Sequence, residues 1–344
     1  MDNILKNEGR LIWLDQLKAI SMYLVVLGHS LLEFKKHNLF KLIYSFHMPL
    51  FFMISGFTFN PDKYDRIFDC IKDKMIKLVY PYILLNIIIL PLWYINMKTG
   101  MIPDDSILEL FIGIAYSNSA VVRAPSNATW FLMTLFLAEV IYYIIFRCMK
   151  EDKLVFLMSC IIAIIGIQSS FGKEILEAPF HLDVSLVAQF FYGCGYLLRK
   201  NFIYFKRAFE THTYTKVSLI LISAVFFACI NKQVDLSNEL YRNISYTLIT
   251  SFSFSFILIY LVQKTNLSFK VFSFIGQNTI IVLAFHILVL RVFQAYFPIF
   301  LSSQLFAVLA SILVYISMIP IIWIVNKYFR FVIRMPMFLL NKVR

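Results

Sequence analysis

Charge is the scarcest commodity in this 344-residue chain: Asp, Glu, Lys and Arg make up 15% of it, against 60% hydrophobic residues. A soluble domain carries about 25% charged residues. A mean hydropathy of +0.75 leaves too little polar surface to cover a water-soluble globule. That excludes a soluble enzyme, a disordered chain and a nucleic-acid module. Glycine and proline are sparse, ten of each, and no Pro/Gly/Ser linker, repeat or low-complexity tract divides the chain. The five cysteines (70, 148, 160, 194 and 229) are odd in number, widely spaced and without a CxxC pair, which argues against a disulfide framework or a zinc site. GxxxxGKS/T, HExxH, GxSxG and GxGxxG motifs are absent, so an ATP-driven pump, a zincin and a serine hydrolase lose support. No metal and no nucleic-acid partner are expected.

What the chain has instead is long apolar runs. A membrane-crossing helix needs about 20 mostly apolar residues, and such runs fall near 11–32, 40–59, 78–95, 130–148, 154–171, 184–198, 215–231, 243–263, 279–297 and 303–326. The expectation is an all-α polytopic membrane bundle of about ten transmembrane helices embedded in a lipid bilayer. The first run contains Asp15 and Lys18 and shows no small-residue cleavage site, so it reads as an uncleaved span. Ten spans put both termini on one side. Of the 32 Lys and Arg, 22 fall in loops on that side, 8 on the other, and Lys18 and Arg291 within spans. Basic residues concentrate in cytoplasmic loops, so both termini are expected to be cytoplasmic. The chain reads as one membrane domain, 1–344, with short tails at 1–10 and 327–344 and an external loop at 96–129.

An ionisable group at bilayer depth costs roughly 2.5–3.5 kcal/mol on insertion scales and usually faces the bundle interior or a wet cavity. The intramembrane set is Asp15, Lys18, His29, His47, Asn86, Glu139, Gln189, His286 and Arg291. Asp15 and Lys18 are i,i+3 neighbours. His29 follows Lys18 by eleven positions, a return to within about 20° of the same face and roughly 16 Å along the axis. Lys18, Met22, Val25 and His29 therefore form one stripe, whose two ends cannot act on one atom unless the helix breaks. The second span carries SFHMPLFFMISGF, in which Pro49 frees a backbone carbonyl, with Ser45, His47 and Ser55 near enough to satisfy such groups. His29 and His47 flank one short external loop. Basic residues in the loop after the second span by default enforce topology, and Lys74 and Lys77, one turn apart there, are also placed to present an anion site. Trp130 stands at the outer end of the fourth span, where tryptophan commonly anchors. Glu139 sits in mid-span, and an anchor role does not explain it.

Several of these segments resemble the membrane acyltransferase-3 family, above all its fucose 4-O-acetylase-like branch. They are LDQLKAISMYLVVLGHS (14–30), FHMPLFFMISGF (46–57), KMIKLVYPY (74–82), WFLMTLFLAE (130–139), PFHLDVSLVAQFFYGCGYLLRK (179–200) and IGQNTIIVLAFH (275–286). The match runs from about 10 to 326. The resemblance implies a membrane-bound O-acyltransferase of the bacterial plasma membrane. It would transfer an acyl group, usually acetyl from cytoplasmic acetyl-CoA, to a hydroxyl of a surface polysaccharide or its lipid-linked precursor. By position, His29 would be the essential histidine with Lys18 as its basic partner and Asp15 beside it. Lys74 and Lys77, with Arg66, would hold the donor. His47, Trp130, Glu139 and His286 are candidates for contacts with the acceptor or the oxyanion. The family usually has Arg where this chain has Lys18, Lys74 and Lys77, and lysine lacks arginine's planar fork. A different class of reading, a transporter or flippase for a lipid-linked saccharide, fits the intramembrane charges as well, although no inverted repeat supports it.

Overall fold

The computed structural model describes residues 11–98, 106–118, 124–171, 178–210, 213–232, 234–238, 240–241, 243–265 and 269–336. The tail at 1–10, the end of the other tail at 337–344, two parts of the external loop, and Arg123, Lys173 and Arg242 of the charge count lie outside the described residues. Helix is the only regular structure among the described residues, with one isolated bridge between Asp235 and Leu240. The all-α expectation holds.

In chain order the helices are α1 (Ile12–Ser30), α2 (Asn38–Phe57), α3 (Ile67–Lys74), α4 (Tyr80–Lys98) and α5 (Ile107–Tyr116). They continue with α6 (Trp130–Met149), α7 (Asp152–Phe171), α8 (Leu182–Lys200), α9 (Phe202–Glu210) and α10 (Thr213–Ile230). The last four are α11 (Ile244–Thr265), α12 (Lys270–Gly276), α13 (Thr279–Tyr296) and α14 (Gln304–Tyr328). Seven of the described spans are long and apolar enough to cross a membrane, or eight if α9 and α10 count as one bent span. Large apolar side chains on these helices, such as Leu157, Ile164 and Ile165 on α7 and Ile316 on α14, are exposed, as lipid contact requires.

The ten runs read from the sequence differ from this set at α1 and α8, as well as at the α9–α10 pair. Both α1 and α8 have 19 residues, long enough at 1.5 Å per residue to span about 28 Å. They fall short in apolarity rather than in length. Asp15 and Gln16 of α1, and Asp183 and Gln189 of α8, are buried inside the protein. A helix with protein on that face need not be apolar all round.

A second difference is the segment after α2, expected as a loop. It becomes helical at Ile67 and runs through a π-helical turn, Met75–Val79, straight into α4. No glycine or proline interrupts residues 67–80. The ion pair Arg66–Asp69 (i,i+3) supports the start of the helix, and Asp73–Lys77 (i,i+4) supports its passage into the π turn.

The chain forms two compact units. The first comprises Met1–Phe59, Phe191–Leu236 and Leu240–Thr279; the second comprises Asn60–Phe190, Ser237–Glu239 and Ile280–Arg344. In the first, α2 packs against α1 and α11, and the short α12 lies along α1. Pro49 cannot donate to the carbonyl of Ser45, four residues back. Ser251 on α11 donates its hydroxyl to that carbonyl at 2.6 Å. The freed group is thus satisfied from a neighbouring helix rather than by α2's own serines. Ser45 itself donates to Leu42 O at 2.7 Å. In the second unit, α6 packs against α3, the π turn and α7.

Candidate functional site

The first unit carries the α1 residues. This helix is continuous from Ile12 to Ser30, so Lys18 and His29 stay about eleven residues, roughly 16 Å, apart along one axis. Both are half-buried, while Met22 and Val25 between them on the stripe are 2% and 3% exposed. His29 occupies the last turn. The carbonyl end of a helix stabilises positive charge, as an imidazolium would carry. Asp15 is buried and accepts a hydrogen bond from Gln277 Nε2 at 3.3 Å. Gly276, one residue earlier, lies directly on Asp15's carbonyl: a Cβ there would stand 1.8 Å from that oxygen. The IGQN turn at the end of α12 therefore clamps α1 beside Asp15, a contact between residues far apart in sequence.

His47 on α2 is also buried in this unit. Its Nδ1 donates to Ile43 O at 2.8 Å, and its ring stands edge-on to Tyr44 with centroids 4.9 Å apart. In the second unit, His286 on α13 donates from Nδ1 to Val282 O at 2.8 Å. In their neutral form both rings thus carry the proton on Nδ1, leaving Nε2 an acceptor with no proton to offer. Neither ring supplies a donor to an oxyanion in that form. This changes the part the sequence assigned them.

The basic pair has separate partners in the second unit. Lys74 Nζ lies 2.7 Å from Glu139 Oε2 on α6, with side chains only 17% and 8% exposed. Lys77 Nζ is 2.8 Å from Asp73 Oδ2. A π turn carries more residues per turn than an α turn, so positions three apart separate further round the axis. The two lysines, expected side by side, are held by different carboxylates. Glu139, whose mid-span position an anchor role left unexplained, is the counter-ion of Lys74. Removing one member of a fully buried pair costs about 3–5 kcal/mol. For Glu139→Gln we expect about 2 kcal/mol, because the Lys74 side chain keeps some access to solvent. Thermal unfolding of the purified protein reads this, and the double change Lys74→Met/Glu139→Leu should recover most of the loss. An unchanged midpoint in the single variant would remove the pair from any stabilising role.

Asp73 Oδ2 is also the acceptor for Lys63 Nζ at 2.8 Å and for the Tyr64 hydroxyl. Two ammonium groups therefore share one carboxylate, with both lysine side chains about half exposed. Burial, and after it the bond to Asp73, holds the Tyr64 phenol well above its usual range, while burial pulls the Lys63 ammonium down. The segment is stitched to α6: Tyr143 donates to Tyr64 O at 2.7 Å and Arg147 to Asp65 O at 2.9 Å. Arg66 faces outward and is engaged by Asp69 through two bonds of 3.0 and 3.1 Å. Lys63, Tyr64 and Asp73 were not singled out from the sequence. The signal for Asp73 was its i,i+4 spacing to Lys77; Lys63 had none, because the turn at 60–66 brings it back.

Trp130 opens α6 and is buried, not placed as a lipid-facing anchor. It lies against His181, ring centroids 5.1 Å apart. Phe180 and His181 both have left-handed backbone, φ 63° and 51°, an uncommon conformation for residues with a Cβ. A cleft beside Trp130, lined by Tyr82, Ser117, Asn118 and Asn127, has room for little more than a water molecule. Asn86, another intramembrane polar residue, is fully used. It donates to Tyr82 O and Thr129 Oγ1, both at 2.9 Å, and accepts from Ser126 N at 2.9 Å. Ser126 in turn donates to Ala284 O at 2.8 Å. Gln189 exchanges two hydrogen bonds with Ser159. These two residues tie helices together.

Among the described residues, no group of three or more His, Cys, Asp or Glu side chains is placed to hold a metal ion. Residues 11–327 match a family model described as an acyltransferase domain. No curated protein and no solved structure matches the chain.

Proposed function

The chain belongs to the acyltransferase-3 family and is a membrane-bound acyltransferase; on that premise we propose that it moves an acetyl group from acetyl-CoA to a hydroxyl of a cell-surface polysaccharide or its lipid-linked precursor. It does so in a bacterial plasma membrane, with both termini in the cytoplasm. The observation that carries this reading is α1: an unbroken helix holding a half-buried histidine in its last turn, eleven residues beyond a half-buried lysine.

In the reaction, His29 takes the proton of the acceptor hydroxyl as its oxygen attacks the thioester carbonyl. The carbon–sulfur bond breaks, and CoA leaves as a thiolate that recovers the proton from the imidazolium. Lys18 is too far along the helix to touch the same atom, so its part is electrostatic. Asp15, fixed by Gln277 and by the contact of Gly276, holds the buried end of α1 in place.

The donor's phosphates are assigned to Lys63 and Lys77. Together with Asp73 these form a cluster carrying one net positive charge, half exposed, that an incoming phosphate can join or open. Lys74 and Arg66, expected to share this part, are engaged by Glu139 and Asp69. A hydrogen bond to a charged group contributes about 1.5–3 kcal/mol. Lys63→Gln and Lys77→Gln should therefore each raise the KM for acetyl-CoA roughly tenfold with little change in kcat. Initial rates against donor concentration measure this. KM values equal to the parent's would remove the cluster from the donor site. The reaction itself is tested by incubating purified protein and glycan with acetyl-CoA. Mass spectrometry should show the glycan gaining one acetyl group, whereas a transporter leaves its cargo unchanged.

A further inference from the structure

The far end of α14 carries a basic and aromatic cluster that neither the packing of the second unit nor the proposed reaction uses. The helix ends at Tyr328 and continues as a short turn, Arg330–Val332. Within twelve residues stand three exposed cations, Lys327, Arg330 and Arg334, and four exposed aromatic side chains, Trp323, Tyr328, Phe329 and Phe331. None of the three cations has an acidic partner among the described residues. Lys327 instead rests over the rings of Trp323 and Tyr328, at 4.6 and 5.1 Å from their centroids.

The turn is held rather than loose. Val332 is 1% exposed, and the Tyr80 hydroxyl at the start of α4 donates to Phe331 O at 2.9 Å. With Val332 drawn inward and Phe331's carbonyl engaged, the aromatic rings and the basic heads are left on the outside. The cluster also begins where a membrane span ends, which is the depth of the lipid headgroups. Aromatic rings suit that boundary, because one part of each side chain is apolar and another tolerates water. Unpaired Lys and Arg at the same depth attract negative charge.

We propose that this turn is a binding site for anionic phospholipid headgroups, the rings entering the interface while Lys327, Arg330 and Arg334 take the phosphate. The occupant follows from charge and depth: three cations without acids, set at the end of a span between aromatic side chains that only a membrane surface would cover.

The test uses the full chain reconstituted into nanodiscs of equal phosphatidylglycerol and phosphatidylcholine, followed by partial delipidation and quantification of the retained lipids by mass spectrometry. The parent should retain phosphatidylglycerol in preference to phosphatidylcholine. K327Q/R330Q/R334Q should lose that preference, with affinity for the anionic lipid falling roughly a hundredfold if each cation contributes about fivefold. The charge-conserving K327R/R330K/R334K should keep it. Equal retention of the two lipids by the parent would overturn the proposal. So would loss of preference in the charge-conserving variant, which would make the effect one of folding. Inorganic phosphate added during delipidation should not displace the lipid. Displacement by phosphate alone would mean that the cluster reads a free anion rather than a lipid, and would also overturn it.

Discussion

Replacing His29 by alanine is expected to lower acetyl transfer by about 10²–10⁴-fold, the range that a positioned general base contributes. The loss should appear in kcat with the KM for acetyl-CoA nearly unchanged, because the donor's phosphates are assigned to Lys63 and Lys77 and not to His29. His29 is half-buried in the last turn of α1, so its removal leaves no large cavity. His29→Gln, which keeps a polar side chain but cannot take the proton, should be as inactive. Full transfer activity in either variant would refute the assignment. Lys18→Ala provides the contrast. At roughly 16 Å along an unbroken helix, Lys18 cannot share the proton with His29. Its loss is expected to be smaller and to be partly restored by Lys18→Arg, which keeps the charge.

The second large effect falls on stability and comes from two glycines. Gly56 on α2 lies against the carbonyl of Tyr192 on α8, and Gly195 on α8 lies against the carbonyl of Met53 on α2. A Cβ at position 56 would stand 1.8 Å from the first oxygen, and one at position 195 would stand 2.0 Å from the second. The contact is reciprocal, each helix offering a glycine to the other's backbone. Small residues permit this close approach between membrane helices. Alanine is better than glycine in a helix by about 1 kcal/mol, so propensity alone predicts stabilisation. Here the obstacle is backbone rather than a side chain that can turn aside, and the helices must separate. We expect Gly56→Ala and Gly195→Ala each to cost more than about 3 kcal/mol net, the upper range for overpacking. The readouts are the thermal midpoint and the folded yield in detergent. Gly28→Ala is the internal comparison. Its nearest neighbour is the ring edge of Tyr44 at 3.0 Å, a side chain able to give way, so the loss should be much smaller. Equal midpoints for Gly28→Ala and Gly56→Ala would refute the crossing argument.

These glycines also show why the quoted segments are informative. FHMPLFFMISGF contains both Met53 and Gly56, and the stretch YGCGY contains Tyr192 and Gly195. IGQN contains Gly276 and Gln277, which grip Asp15. Residues that look like a family signature along the chain are, in the fold, places where two helices touch backbone to backbone. Periodicity finds a helix but not what crosses it, so the role of these glycines was not readable from one sequence.

The charged residues divide in the same way. That α1 would be one helix with Lys18 and His29 on a single stripe followed from 3.6 residues per turn, and the fold keeps it. The pairing of Lys74 with Glu139 did not follow from any spacing, because the partners sit on α3 and α6. Nor did the return of Lys63 to Asp73. It depends on the turn at 60–66 being fastened to Tyr143 and Arg147. Pro49 shows a mixed outcome. The sequence shows that Ser45's carbonyl is freed, while only the packing of α11 shows that Ser251 satisfies it.

By itself, then, the sequence determined that this is a helical membrane protein, where its apolar runs lie and which polar residues they contain. Those properties come from composition and from local geometry, both of which depend on near neighbours in the chain. The tertiary structure decided which of those polar residues are occupied with one another. Glu139, Asn86 and Gln189 became partners in contacts between helices, Lys63 was brought back to Asp73, the carboxylate that also holds Lys77, and α1 and α8 proved polar because they face protein. At bilayer depth a charge or an amide is stable only when something answers it. That answer comes from whichever helix packs alongside, however distant it is along the chain.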